Sequence, residues 1–170
     1  GAYTASCWVY NIGGAGYGDA VSFITADQSG NYYMPFYIGK QSGNKQVFAA
    51  VGGGGTWVDV FLTGTTNKLY IDGSAAPYLN AWTHIAIVAS GNTITYYING
   101  VATGTATNAA LSNSFNFDRI GNLNSGWFGK KTFGETIDEV AIWSRALSAS
   151  EITSIYNSEI NSLISGGGSV

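Results

Sequence analysis

An all-β sandwich of two antiparallel sheets in jelly-roll style, with one short helix near the C-terminus, is the fold that three features of the sequence predict. Short runs of β-branched and aromatic residues recur from residue 3 to 144, broken by Gly, Asn, Asp and Ser. Charged residues make up only 10% of the chain, so its polarity rests on Ser, Thr, Asn and 24 glycines, a turn-rich mixture. A single stretch near the end changes to helical period behind a capping signal. The 170 residues suit one domain, read as 1–165 with a Gly/Ser-rich tail at 166–170.

Taken in order, strands are expected near 3–10, 20–26, 31–39, 46–51, 56–63, 68–71, 82–90, 93–99, 101–107, 117–121 and 132–143. Cys7 lies in the first, "AYTASCWVY". A lone cysteine makes no internal disulfide, and no base or metal partner stands near it in the sequence, so a buried, inert thiol is expected. The four glycines at 52–55 lack the following Lys-Ser/Thr of a phosphate loop and read as a turn. Pro77 in "GSAAPYLN" marks a loop. His84, the only histidine, shares a phase with Trp82, Ala86 and Val88 and is expected to be packed and hydrogen-bonded. Asn99-Gly100 supplies the left-handed pair of a two-residue type I′ turn between alternating strands.

The helix is expected around 148–157. Ser148 and Glu151 have capping-box spacing, Leu147 and Ile152 form a hydrophobic staple, and Ile152, Ile155, Tyr156 and Ile160 make one apolar stripe.

A net charge of -3 excludes the basic surface that nucleic acid demands. No apolar run approaches a membrane span, and no basic-then-apolar leader is present, so no membrane insertion is expected. A chain starting at Gly1 is expected to be a processed product or an excised domain. One His and one Cys leave little for a catalytic triad or a zinc site of the usual ligands.

Three segments, in this order, carry a family resemblance: "YTASCWVY", "WTHIAIVASGNTITYYINGVATG" and "IGNLNSGWFGKKTFGETIDEVAIWSRALSASEITSIY". They resemble the opening Trp-Val strand, the Trp-x-His-Val-Ala strand with its Tyr-x-Asn-Gly hairpin, and the Gly-x-Ile-Asp-Glu-Val and Ala-Leu-Ser elements of the concanavalin A-like lectin/glucanase superfamily. Within it they resemble laminin G-like, pentraxin-related modules of microbial and phage surface proteins. The resemblance implies a concanavalin A-like sandwich and an extracellular, cell-surface or virion-surface setting. Such modules usually carry another strand before the Trp-Val strand, for which this chain starts too late.

Glu135, Asp138 and Glu139 raise the question of glycosidase chemistry. Laminarinase-like enzymes of the same sandwich place three acids at i, i+2 and i+4, on one face of a strand. Here the acids fall at i, i+3 and i+4, and Ile137 occupies the position a bulged frame would need for its Asp. The central acid is out of phase, and a non-catalytic protein is expected.

Asp138 shares a phase with Val140 and Ile142, which are expected to face the core, so its carboxylate must be paired, hydrogen-bonded or metal-bound. Capping of a turn and pairing with Arg119 or Lys131 are open. In similar sandwiches an Asp opening the final strand often helps to hold a structural calcium, which makes Asp138 the candidate metal ligand and one Ca2+ the candidate cofactor.

Binding of a polysaccharide or glycoconjugate is the leading expectation. Sugar sites combine an aromatic face with amides or hydroxyls. "NLNSGWFG" offers Asn122, Asn124, Trp127 and Phe128 in what reads as a loop over 122–128, and "AAPYLN" offers Tyr78 and Asn80. Trp8, Trp82 and Trp143 lie within strands and are expected to be core or inter-sheet packing. The competing reading is a structural domain, a phage decoration or fibre module or a bacterial surface-assembly module, whose Tyr and Trp patches anchor other surface or virion proteins.

Overall fold

A computed structural model describes residues 1–10, 21–26, 36–41, 46–50, 80–107, 119–125, 129–132 and 136–166. The strands expected near 56–63 and 68–71, the four glycines at 52–55, Pro77 and Glu135 lie outside these residues. In chain order the elements are β1 (Ala2–Tyr10), β2 (Val21–Ala26), β3 (Phe36–Gln41), β4 (Gln46–Ala50), β5 (Trp82–Ser90), β6 (Thr93–Ile98), β7 (Val101–Thr107), β8 (Arg119–Ile120), β9 (Asn122–Ser125), β10 (Gly129–Thr132), β11 (Ile137–Trp143) and α1 (Ala149–Gly166). They form a five-stranded sheet in the order β11-β1-β5-β6-β7, a four-stranded sheet β4-β3-β2-β8, and the ribbon β10-β9. The strand pairings are antiparallel.

A half-exposed antiparallel sheet would show alternating burial. β1 and β5 instead bury seven residues in a row, because both faces of the five-stranded sheet are covered. One face carries Ala5, Cys7, Val9, Ile85, Ile87, Ala89 and Ile94, all fully buried, with Tyr96 and Ile98 beside them. Cys7 is the buried, apolar thiol that its setting in the sequence implies, and burial pushes its pKa up. The opposite face is covered by α1: Ala86, Val88 and Tyr97 pack against Leu147, Ile152, Trp143, Ala146 and Ile155. On that same face Trp8 stacks on Tyr156 of α1, with ring centroids 5.5 Å apart and an interplanar angle of 16°.

α1 begins as its sequence dictates. The Ser148 amide donates to Glu151 Oε2 at 2.8 Å, and the Glu151 amide donates to Ser148 Oγ at 3.3 Å, a reciprocal capping box. Leu147 and Ile152 are both buried, as a staple requires. The helix is longer than the sequence reading: it runs 18 residues to Gly166, overrunning the stretch assigned to 157. Leu163 and Ile164 continue the apolar spacing beyond Ile160, the last residue of the stripe read from the sequence.

Hydrogen bonds at the start of α1 and along it tie the helix to the sheet. The Thr4 hydroxyl donates to the Arg145 carbonyl at 2.9 Å and accepts from the Leu147 amide at 2.9 Å. At the β6–β7 turn Asn99 and Gly100 hold φ of 49° and 78°, the left-handed pair of the type I′ reading. The Gly100 carbonyl accepts from Thr153 Oγ1 at 3.0 Å, and a Cβ at Gly100 would lie 3.1 Å from the Tyr156 side chain.

β11 departs from the predicted pattern. Ser6 pairs with Ala141 but Trp8 pairs with Asp138, so Glu139 and Val140 together oppose Cys7 in a β-bulge. Glu139 takes the left-handed conformation there, φ 47°. The extra residue reverses the phase. Asp138 therefore does not open a core-facing row with Ile142: it is exposed, at the register of Trp8, while Ile142 is 43% exposed at the register of Ala5. The strand expected over 132–143 is likewise two elements, the end of β10 and β11.

Candidate binding surface

Gly121, φ 66°, turns the chain from β8 into β9, and its Cα lies close enough to β11 that a Cβ there would sit 3.5 Å from Ile137 Cδ1. The β9–β10 ribbon starts from this turn and runs beside β2. Residues 122–125, expected as part of a loop, are strand: Asn122 pairs with Thr132, Leu123 with Lys131, Asn124 with Lys130 and Ser125 with Gly129. Asn122 and Asn124 thus occupy alternate register positions on one strand. Trp127 and Phe128 belong to the three residues that join β9 to β10, and they and Tyr78 lie outside the described residues. Asn80, φ 53°, is exposed just ahead of β5.

The same end of the five-stranded sheet carries a half-buried aromatic pair that sequence reasoning passed over. Tyr10 and Trp82 pair across β1 and β5, their ring centroids 5.5 Å apart at 65°. Trp82 was expected in the core with Trp8, which is fully buried. Its place at the start of β5 leaves it partly exposed. Only its distance from the strand's middle signalled this.

Asp138 sits where the ribbon's entry turn meets β11. Its Oδ1 accepts the Glu139 amide at 2.8 Å, which supports the left-handed residue of the bulge. Among the described residues no group of three His, Cys, Asp or Glu side chains is placed to hold a metal. A calcium ion at Asp138 would draw its other ligands from backbone carbonyls, which calcium accepts. Asp138 and Glu139 also act on Glu159 of α1, whose carboxylate accepts the Trp8 indole N–H at 2.6 Å. Burial, the larger influence, raises the pKa of Glu159; the Trp8 bond opposes this, and repulsion by the two acids adds to it.

His84 is packed as expected but is not satisfied as expected. Its backbone is bonded on both sides, with its amide donating to Asn99 Oδ1 and its carbonyl accepting from the Asn99 amide, each at 2.9 Å. Neither ring nitrogen has a hydrogen-bond partner among the described residues. The ring lies 5.2 Å from that of Trp8 and 6.1 Å from that of Tyr156, fully buried.

An open groove of about 370 Å³ runs between Trp143 and the first turns of α1, lined by Arg145, Leu147, Ser150, Glu151, Ser154 and Ile155. Its charged groups are already engaged. Arg145 forms a two-pronged bond with Glu151, at 3.1 and 2.6 Å, and Glu151 also holds the Ser148 cap. The groove belongs to the helix start rather than to a ligand site.

The five-stranded antiparallel sheet is thus buried on both faces in its central strands, one face lying under the C-terminal helix. Residues 1–153 match the model of the concanavalin A-like lectin/glucanases superfamily, and the chain belongs to that superfamily. No curated protein sequence matches the chain. Among solved structures, the binding domain of botulinum neurotoxin DC in complex with SialylT is similar with a TM-score of 0.62 and 18% identity, over 92% of this chain and 35% of that one. The same toxin domain bound to rat synaptotagmin II gives 0.60 and 17%, with the same coverage. Domain 4 of an extracellular arabinanase from Geobacillus stearothermophilus, in complex with arabinotriose, gives 0.54 and 22%, over 91% and 66%. At these identities the likeness shows the fold, and this chain spans about a third of the length of the toxin domains. No helix among the described residues is long and apolar enough to cross a membrane.

Proposed function

We propose that this chain is a non-catalytic module that binds a polysaccharide or glycoconjugate, carried on a secreted protein or on a cell or virion surface. The observation that carries the reading is the β9–β10 ribbon. It sets Asn122 and Asn124 at alternate register positions on β9, and the connection between its two strands contains Trp127 and Phe128, so the short segment holds the residue types a sugar site uses. The reading is supported by sandwiches of the same fold that hold arabinotriose or SialylT. The non-catalytic reading is supported by the sequence spacing of Glu135, Asp138 and Glu139, which departs from the i, i+2, i+4 pattern, and by the bulge that holds Glu139.

The test is Trp127→Ala. One stacked ring adds about 1 kcal/mol beyond its area burial, so a single site is weak and gains from repetition. On a glycan array the wild type should show a binder, and Trp127→Ala should abolish that signal while the melting temperature holds within a few degrees. Unfolding of the variant would make Trp127 a core residue and remove the reading's best contact.

A second reading, assembly with other surface or virion proteins, is favoured by the exposed apolar residues. Val101, Ile120 and Ile142, 64%, 59% and 43% exposed, all lie on strands that are outermost among the described ones, β7, β8 and β11. Outer strands with exposed apolar side chains are ready-made pairing sites. Light scattering that shows ordered oligomers, with a blank glycan array, would select this reading.

A further inference from the structure

The buried imidazole beneath α1 is the least accommodated polar group among the described residues. Buried polar side chains are nearly always hydrogen-bonded, and an exception needs an explanation. His84 is such an exception on both ring nitrogens, at 0% exposure, in the middle of the sheet face that α1 covers. Its ring lies beside both Trp8 of β1 and Tyr156 of α1, which stack on each other. The β6–β7 turn contributes Asn99, which is engaged with the His84 backbone, and β6 contributes Tyr97, which pairs with Ala86 on the same face. The anionic groups of the neighbourhood are Glu159 of α1, held on the Trp8 indole, and Asp138 and Glu139 of β11, which act on Glu159. A neutral imidazole fits this setting, and a charged one does not.

α1 is also the element best placed to move. It covers the sheet with one face and, among the described residues, is tied to it at few polar points: the Trp8–Glu159 bond, the Thr153 bond to the Gly100 carbonyl, and the Thr4 bonds just ahead of its start. Behind it the five-stranded sheet keeps its own ladder from β11 to β7 and its second buried face.

We propose that His84 and α1 form an acid-released latch, in which protonation of the imidazole detaches α1 from the sheet while the sheet stays folded, uncovering the apolar face of Trp8, Val88 and Tyr97. Burial pulls the His84 pKa from its ordinary 6.5 down to about 4. The sign follows directly. The docked state binds the proton less well than the detached state, so docking is undisturbed above pH 6.5 and weakens as the pH falls towards 4. Over that window the docked-to-detached ratio drops by up to about 300-fold, the factor carried by the separation of the two pKa values.

The test follows the full chain by nuclear magnetic resonance from pH 7.5 to 3.5, reading the His84 ring protons together with amide exchange in α1 and in β5. The latch requires that His84 take up its proton well below the ordinary range, in step with loss of protection in α1, while β5 stays protected. His84→Leu should keep α1 docked to pH 3.5. Glu159→Gln, which keeps the acceptor for Trp8, should leave the transition in place. The latch is overturned if α1 and β5 lose protection together, if His84 titrates near 6.5 with α1 still docked, or if His84→Leu releases α1 at the wild-type pH. Should His84→Leu fail to fold, the wild-type ring and amide curves decide the matter alone.

Discussion

Gly100 meets two demands that no other residue type meets together. Its φ of 78° is left-handed, and a Cβ there would stand 3.1 Å from Tyr156. Gly91, φ 57°, has the first demand alone, with open space where its Cβ would be. Gly91→Ala should therefore lower stability by about 1 kcal/mol, and Gly100→Ala by about 3 kcal/mol, as strain and overpacking add; urea midpoints of the two variants check the ratio. The Asn99-Gly100 turn was legible because its chemistry is local. Glu139 was not. Nothing in "TIDEVAIW" signals that its residue at 139 is left-handed; the extra residue appears only when β11 is laid against the register of β1. Glu139→Gly should raise stability by about 1 kcal/mol by relieving that conformation, and an unchanged or lower midpoint would mean the bulge carries no strain.

Among the elements, α1 was the most legible and the β9–β10 ribbon the least, for opposite physical reasons. α1 announces itself through Ser148, Glu151 and an apolar stripe, signals contained in a few turns of chain. β9 is "NLNS", with no β-branched or aromatic residue, and owes its strand form to the pairing with β10 and its place beside β2. The candidate contacts Asn122 and Asn124 could be named from composition, but their alternate register could not. The start of α1 also depends on a residue that no helix signal reveals. Thr4 on β1 satisfies the Leu147 amide, so Thr4→Val, close in shape, strands a buried donor. It should cost about 2 kcal/mol. Loss of protection at the first turn of α1 in hydrogen exchange, ahead of the rest of the helix, is the signature to look for.

For the molecule as a whole, calcium is the open ligand. A metal bound only to the folded chain raises the melting temperature by mass action. If Asp138 holds one, chelator should lower the melting temperature of the wild type and leave Asp138→Ala unmoved; equal curves for the wild type with and without chelator would leave Asp138 as the support of the bulge. The fold itself was legible because three well-separated segments each carry a local pattern and their order is specific. The phase of β11 was not, since a bulge is a property of two strands and not of one.

The strand order β11-β1-β5 also shapes the route by which the chain reaches this fold. β1 lies between two strands far along the chain, and the Thr4 hydroxyl meets a carbonyl 141 positions away. The β5–β6–β7 meander, joined by turns of two residues, can assemble from nearby contacts. β1 cannot pair on either side until much of the chain has closed a long loop, whose entropy is lost before any ladder forms. Folding should therefore be slow and late to seal. During that interval Trp8 and the apolar row of β1 stand open to other chains, which makes the first strand the segment most exposed to mispairing while the protein is being made.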